Sequence, residues 1–301
     1  MCGPFLFQPC IFDHAWLMTK RKGWQIVRVD SRFSLFLFAF ALSGCSAGDV
    51  GIESRSIDVQ QTLQPAGGSL SQGMASLVGQ VGPSYVTLTV SKIEDKTKSG
   101  EKAGKTAVTS GSGFVVANDG YIMTAAHVAV EAGNSVSARA ANGRIYSGKV
   151  ISILPENDMA LIKLRGFAGH SATPVTNACL AKGATLFSLG KPHAQGDTAR
   201  FGTVESMSFG RPVQYGKFGY PDAMVMDMDT KKGESGGPVF DSQGRLAGMV
   251  VSTLSDGSGR PLNLAHAVPS ATLAKFLCTN TNCSANWATL AQYAGQPCGT
   301  N

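Results

Sequence analysis

Three polar residues in this chain have the types and spacing for acyl-transfer chemistry. Ser235 lies in Gly233-Glu234-Ser235-Gly236-Gly237-Pro238, a setting that holds a side chain on a tight turn. Gly233 lets the backbone turn sharply, so that its own N–H and that of Ser235 can converge on one point. Two such donors form an oxyanion hole. Gly236 and Gly237 leave room for a substrate backbone. Upstream, Thr124-Ala125-Ala126-His127 offers a general base, and Asn157-Asp158-Met159 offers a carboxylate to orient it. The order is His, Asp, Ser, with 31 residues from His127 to Asp158 and 77 from Asp158 to Ser235. Such a set takes a proton from the serine, attacks a carbonyl and forms an acyl-enzyme.

Short strands must position these residues. The chain has 301 residues, only 15% charged, with 36 glycines. That balance favours strands and turns over long helices. Tyr85–Val90 alternates in polarity, and strands are predicted at 107–117, 120–123, 134–140, 144–154 and 159–164. Asn118-Asp119-Gly120 and Asn142-Gly143 are hairpin turns by composition. A second set is predicted at 184–189, 200–208, 223–228, 237–241, 245–254 and 262–268. Pro269 ends it, and Ser270 is expected to cap a helix over 271–277. Many short strands point to barrels, and the break near 166–180 to two of them. The expected fold is all-β, with two six-stranded antiparallel β-barrels and a short C-terminal helix. His127 and Asp158 then belong to the first barrel (about 83–167) and Ser235 to the second (about 180–277), with the site in the cleft between.

The amino-terminal region reads as a leader over residues 1–44. Lys20, Arg21, Lys22, Arg28 and Arg32 precede an apolar run from Phe33 to Leu42. The run is too short to span a bilayer as a folded helix and suits a signal peptide. Met18 stands just before the basic residues and gives a signal of ordinary length, which marks 1–17 as an upstream extension. Leu42-Ser43-Gly44-Cys45 resembles a bacterial lipobox, which implies lipidation at Cys45, a membrane anchor and a cell-envelope location. Residues 45–72 read as a flexible tether, and Met74–Val81 as one or two helical turns. Five Lys/Arg and two Asp/Glu precede Cys45, so the remainder holds 21 basic and 18 acidic residues, a net +3. That is too little to argue for a nucleic-acid partner.

After Cys45 the cysteines are Cys179, Cys278, Cys283 and Cys298. In an oxidising compartment they suggest two bridges, with three possible connectivities and at least one bridge pinning the 278–301 tail, which shows no clear core pattern. Cys278 and Cys283 have the spacing of half a zinc site, but no His lies near and no second close pair exists. No metal and no cofactor are expected.

Over residues 73–277 the chain resembles a trypsin-like serine protease, and within that class the protease domain of the HtrA (Deg) family. The resemblance rests on Gly111-Ser112-Gly113-Phe114-Val115-Val116, Asp119–Val128, Asn157–Leu164, Leu186-Phe187-Ser188-Leu189-Gly190-Lys191-Pro192 and Ala267-Val268-Pro269-Ser270. It implies a chymotrypsin-like fold, the triad His127, Asp158 and Ser235, an oxyanion hole at Gly233 and Ser235, and polypeptide substrates. Ser252 and Thr253, after Val251, would lie on the strand to which a peptide adds itself. Asp229 stands where trypsin-like enzymes place the acid that selects Arg or Lys. The flanking HtrA-like pattern implies instead small or aliphatic preference, with Asp229 facing solvent and Asp227 in a structural turn. His266 either reads an acidic side chain or fills space. His170 and His193 read as loop residues.

Two departures stand out. Only 24 residues follow Leu277, too few for the PDZ domains of most HtrA proteins. Glu234 replaces the usual Asn or Asp before the nucleophile; its side chain would lie outward against Lys231 or Lys232, or else disturb the oxyanion loop. The function expected is a lipid-anchored serine endopeptidase. The alternative is a protease-fold binding or chaperone-like lipoprotein without useful turnover. The sequence leaves the oligomeric state open.

Overall fold

The computed structural model describes residues 58–60, 68–92, 108–193 and 196–298. All fall in one compact unit, residues 50–301. The leader and Cys45 lie outside the described residues. The chain starts with β1 (Asp58–Gln60) and α1 (Gly68–Val81). Barrel one follows: β2 (Tyr85–Ser91), β3 (Val108–Ala117), β4 (Tyr121–Thr124), then α2 (Ala126–Ala129), β5 (Ser135–Ala140), β6 (Ile145–Leu154) and β7 (Met159–Leu164). Next come β8 (Thr185–Gly190), β9 (Thr198–Ser206), β10 (Val213–Tyr215), β11 (Phe218–Tyr220), β12 (Met224–Asp227), β13 (Pro238–Asp241), β14 (Leu246–Ser255) and β15 (Pro261–Pro269). Two helices, α3 (Ser270–Asn280) and α4 (Ala285–Ala291), close the fold.

Strands β2-β3-β4-β7-β6-β5 form a closed barrel. Strands β9-β12-β15-β14-β13-β8 form the second, closed by the β8–β9 pairing. Both rings are antiparallel, so the expected two-barrel fold is what the chain adopts. Alternation explains it locally. In β5, Val136, Ala138 and Ala140 are buried while Ser135 and Ser137 face out, the two-residue period of a strand with one wet face. Barrel one fills with Leu88, Phe114, Ile122, Leu161 and Ile162. Barrel two fills with Phe187, Phe201 and Phe240, whose rings lie 5.4–6.0 Å apart around Phe187. Each such side chain contributes roughly 2–3 kcal/mol on burial.

Four features differ from the sequence reading. Helix α1 begins at Gly68, and β1 pairs in parallel with β9; both fall within the stretch read as tether. The hairpin β10–β11 was not anticipated. Ser270 does not cap α3: the N-cap is Pro269, and no side chain bonds there. The tail is not without a core, because α4 buries Trp287 and Leu290 against α3.

The bridges are Cys278–Cys283 and Cys179–Cys298. The first closes the turn between α3 and α4. The second ties the tail to the segment between the barrels across 119 residues, which in the chain-entropy model stabilises by about 4–5 kcal/mol. Among the described residues no helix is long and apolar enough to cross a membrane.

Candidate active site

Strand β4 ends at Thr124, and the extended Ala125 leads into the single turn of α2, which carries His127. The helix stops at Val130, whose φ of 66° and ψ of −51° close a tight turn with the Glu131 N–H donating to Ala129 C=O at 2.8 Å. That conformation is strained for a β-branched residue and fixes the end of the turn that holds the imidazole. Asp158 ends the turn Pro155–Asn157 in the left-handed conformation, φ 48°, immediately before β7. Asp tolerates that conformation better than most side chains. The carboxylate is fully buried and accepts three hydrogen bonds. His127 N–H donates to Oδ1 at 2.9 Å, and His127 Nδ1 to Oδ2 at 2.8 Å. Tyr215 Oη also donates to Oδ2. Burial, and after it the Asp158 charge, push the Tyr215 phenol far above its ordinary range, so it stays a donor.

The Ser235 turn is held by barrel one. Ser112 of β3 donates its N–H to Ser235 C=O at 2.9 Å and its Oγ–H to Gly233 C=O at 2.9 Å. Its Oγ accepts from Lys191 N–H at 3.1 Å. A Cβ on Gly236, at φ +82°, would stand 2.2 Å from Thr124 Oγ1 and 2.3 Å from Ser112 O. Only glycine lets the Ser235 turn seat this close to the strand end that leads to His127. A Cβ on Gly111 would meet Val128 at 2.7 Å and Ser235 O at 3.1 Å. The N–H of Glu234 goes to Lys231 O, and that of Gly236 to Val250 O. Among the described residues, the N–H groups of Gly233 and Ser235 meet no acceptor. Ser235 Oγ and His127 are not hydrogen-bonded to each other.

Glu234 does not lie outward. It is buried, with Arg200 Nε of β9 donating to Oε1 at 2.7 Å and Lys231 N–H to Oε2 at 2.9 Å. Burial pushes its carboxyl above the ordinary range, while Arg200 and the Lys231 N–H pull it back. Gly190 makes the space: a Cβ there would lie 2.8 Å from Glu234 Cβ and Cγ. The longer acid is therefore built into the base of the loop.

Ser252 and Thr253 sit on β14 just past a bulge. β14 pairs with β13 only through Leu246–Met249, so Ser252–Ser255 has one edge without a strand partner among the described residues. Ser252 faces His266 across the β14–β15 ladder. Tyr220 Oη lies 2.7 Å from both Ser252 Oγ and His266 Nδ1, and Phe209 packs 4.3 Å from the imidazole. Burial lowers His266 to about 4, so it is neutral near pH 7. Its Nε2 is buried without a partner. Asp229 is half-buried, with Lys231 Nζ 3.9 Å from its carboxylate. Asp227 lies in β12, not in a turn. His170 is an exposed loop residue. His193 packs on the loop before Ser235: a Cβ on Gly233 would stand 2.6 Å from its ring.

Sequence reasoning did not assign Ser112, Tyr215 and Arg200 to the site. Ser112 was visible as the serine of a Gly-Ser-Gly strand, and Tyr215 as the aromatic before a Gly-Lys turn. Arg200 had no local signal, because its partner lies 34 residues away. Among the described residues, no three His, Cys, Asp or Glu side chains cluster as a metal site would.

A family model described as a trypsin-like peptidase domain matches residues 111–249. The chain is 31% identical over 219 residues to protease Do-like 5 of Arabidopsis thaliana, a chloroplastic protein, covering 66% of this chain and 67% of that one. It is 31% identical over 166 residues to a probable periplasmic serine endoprotease, DegP-like, of Bartonella henselae, covering 55% of this chain and 32% of that protein. The chain thus spans about a third of that relative's length. The solved structure of the HtrA-type protease AlgW with a tripeptide superposes with a TM-score of 0.54 at 24% identity, over 65% of this chain and 59% of that one.

Two predictions follow from the buried groups of barrel two. Arg200→Met leaves a buried carboxylate without its guanidinium, so stability falls by about 3–5 kcal/mol. The double variant with Glu234→Gln loses less than the two single losses together, by about 2 kcal/mol or more. Urea midpoints of the four proteins give the cycle, and strictly additive losses would show that the pair is not coupled. His266 is neutral in the fold down to about pH 4, whereas an unfolded histidine takes up a proton near ~6.5. The unfolded chain then binds more protons in that window, so stability drops as pH falls from about 6.5 to 4. His266→Gln should flatten that drop by up to about 3 kcal/mol; identical pH dependence of the two urea midpoints would refute it.

Proposed function

The chain belongs to the HtrA (Deg, protease Do-like) family of trypsin-like peptidases, and from that premise we propose a serine endopeptidase held to the bacterial cell envelope by lipid. The observation that carries the activity is the two-point grip of His127 on the buried Asp158 beside a glycine-seated Ser235. In this reading Ser235 Oγ attacks the scissile carbonyl, and His127 Nε2 takes its proton and returns it to the leaving amine. Asp158 holds the imidazole with Nδ1 protonated and balances the charge that forms. The N–H groups of Gly233 and Ser235 stabilise the oxyanion, each worth roughly 3–4 kcal/mol in the transition state. Water then hydrolyses the acyl-enzyme. No cofactor takes part.

Polypeptide is the substrate. The open edge of β14 at Ser252 and Thr253 accepts an extended segment as an added strand. His266 borders the primary pocket as a neutral group. Asp229, half-buried and faced by Lys231, is in this reading a surface acid rather than the floor of a dedicated basic pocket. The relatives named DegP-like are called periplasmic, which agrees with an envelope location, and the two disulfides fit an oxidising compartment. The anchor rests on Leu42-Ser43-Gly44-Cys45 after an apolar run.

A second reading, a protease-fold binding protein, draws on the lack of a hydrogen bond between Ser235 Oγ and His127. Fluorophosphonate labelling separates the two. The enzyme labels, and labelling vanishes in Ser235→Ala and falls by at least about a thousandfold in rate in His127→Ala. Folded protein that never labels would leave the binding reading. For the anchor, Cys45→Ala should release the protein from membranes or leave its precursor uncleaved. A mature terminus well downstream, carrying no lipid mass, would overturn the anchor.

A further inference from the structure

We propose that Tyr215 is a positioning residue for the Asp158–His127 pair, and that the β10–β11 hairpin delivers it from the second barrel. The inference rests on the serine-peptidase reading above. The hairpin, Val213 to Tyr220, turns at Gly216 with φ +60°. It meets barrel one at the Pro155–Asn157 turn before Asp158 and at the end of α2. Tyr215 Oη donates to Asp158 Oδ2, the oxygen that also receives His127 Nδ1. The Tyr215 and Phe218 rings stand edge-on to the His127 imidazole, at 5.7 and 6.4 Å between centroids. Lys217 Nζ donates to Val130 C=O at 3.1 Å, at the strained residue that ends α2. At the other end of the hairpin, Tyr220 holds Ser252 and His266.

Chemistry gives the tyrosine its role. A carboxylate with no solvent contact can rotate unless each oxygen is engaged. His127 N–H fixes Oδ1. On Oδ2 the imidazole and the phenol approach together, which locks the carboxylate plane and the imidazole with it. The phenol also draws charge from the oxygen that faces Nδ1–H. Asp158 then stabilises the imidazolium less than an unshared carboxylate would. The titratable and charged groups around this carboxylate are His127 on α2, Tyr215 and Tyr220 on the hairpin, and Glu156 in the turn before it, with Lys217 bound at Val130. Of these, only His127 and Tyr215 hydrogen-bond to it.

The test is Tyr215→Phe, which keeps the ring and removes the donor. Loss of a charge-assisted hydrogen bond should lower kcat by about 10- to 100-fold with little change in KM, and the acid limb of the kcat/KM profile should move to higher pH. Lys217→Met, which loosens the hairpin without touching Oδ2, should lower activity and leave that limb in place. Incorporating 3-fluorotyrosine at position 215, a stronger donor, should move the limb to lower pH. In the wild-type fold the His127 Nδ1 proton should give a far-downfield proton resonance, shifted further downfield in Tyr215→Phe. That measurement needs no turnover, so it tests the tyrosine even if Ser235 never labels. A folded Tyr215→Phe protein with the wild-type resonance, or with wild-type kcat and acid limb, would overturn the proposal.

Discussion

The carboxylate of Asp158 has no contact with water, and an unpaired buried charge costs several kilocalories per mole. It persists because three donors from two places in the chain surround it. Two belong to His127, which requires α2 to start right after β4. The third belongs to Tyr215, 57 residues further on. The left-handed backbone of Asp158 turns its side chain toward all three just before β7 begins. The strained Val130, the one-turn helix and the β10–β11 hairpin therefore answer to a single constraint: one oxygen pair that must be satisfied from inside the protein.

The same logic runs along the seam between the barrels. Ser112 spends its N–H and its hydroxyl on the two carbonyls that flank Glu234, and its hydroxyl also accepts from Lys191. Arg139 on β5 grips Asp197 at 2.7 Å just before β9, and Tyr85 on β2 adds a donor to that acid at 3.3 Å. These polar links are directional where apolar packing is not. They set the Ser235 turn against the His127 strand end to within the width of a missing Cβ at Gly236.

The twelve barrel strands were legible in the sequence because alternation is a local signal. Their observed bounds differ from the expected ones by a residue or two. The His and Asp segments announced themselves because their chemistry is encoded within a few residues. The direction of Glu234 was not legible. It depends on Arg200 across the barrel and on Gly190 making room, and neither leaves a local trace. β10–β11 is only three residues on each side, too short for periodicity to stand out. The tail misled because Trp287 and Leu290 are sparse apolar points that gain meaning only once α3 and Cys278–Cys283 place α4.

Position 234, just before Ser235, shows how a fold absorbs a departure from its usual pattern. A longer acid there meets two opposing demands. Its stem must fit under the loop, and its charge must not stay unpaired in a dry interior. Gly190 meets the first demand and Arg200, with the Lys231 N–H, the second. The side chain then becomes a strut: it ties the peptide before Ser235 to β9 on one side and to the Lys231 turn on the other. Pushed outward, the same residue would free the loop on which Gly233 and Ser235 sit. Buried and paired, it anchors that loop, and among the described residues the N–H groups of Gly233 and Ser235 meet no acceptor. The residue that, read in the sequence alone, could have disturbed the loop is thus one of its anchors.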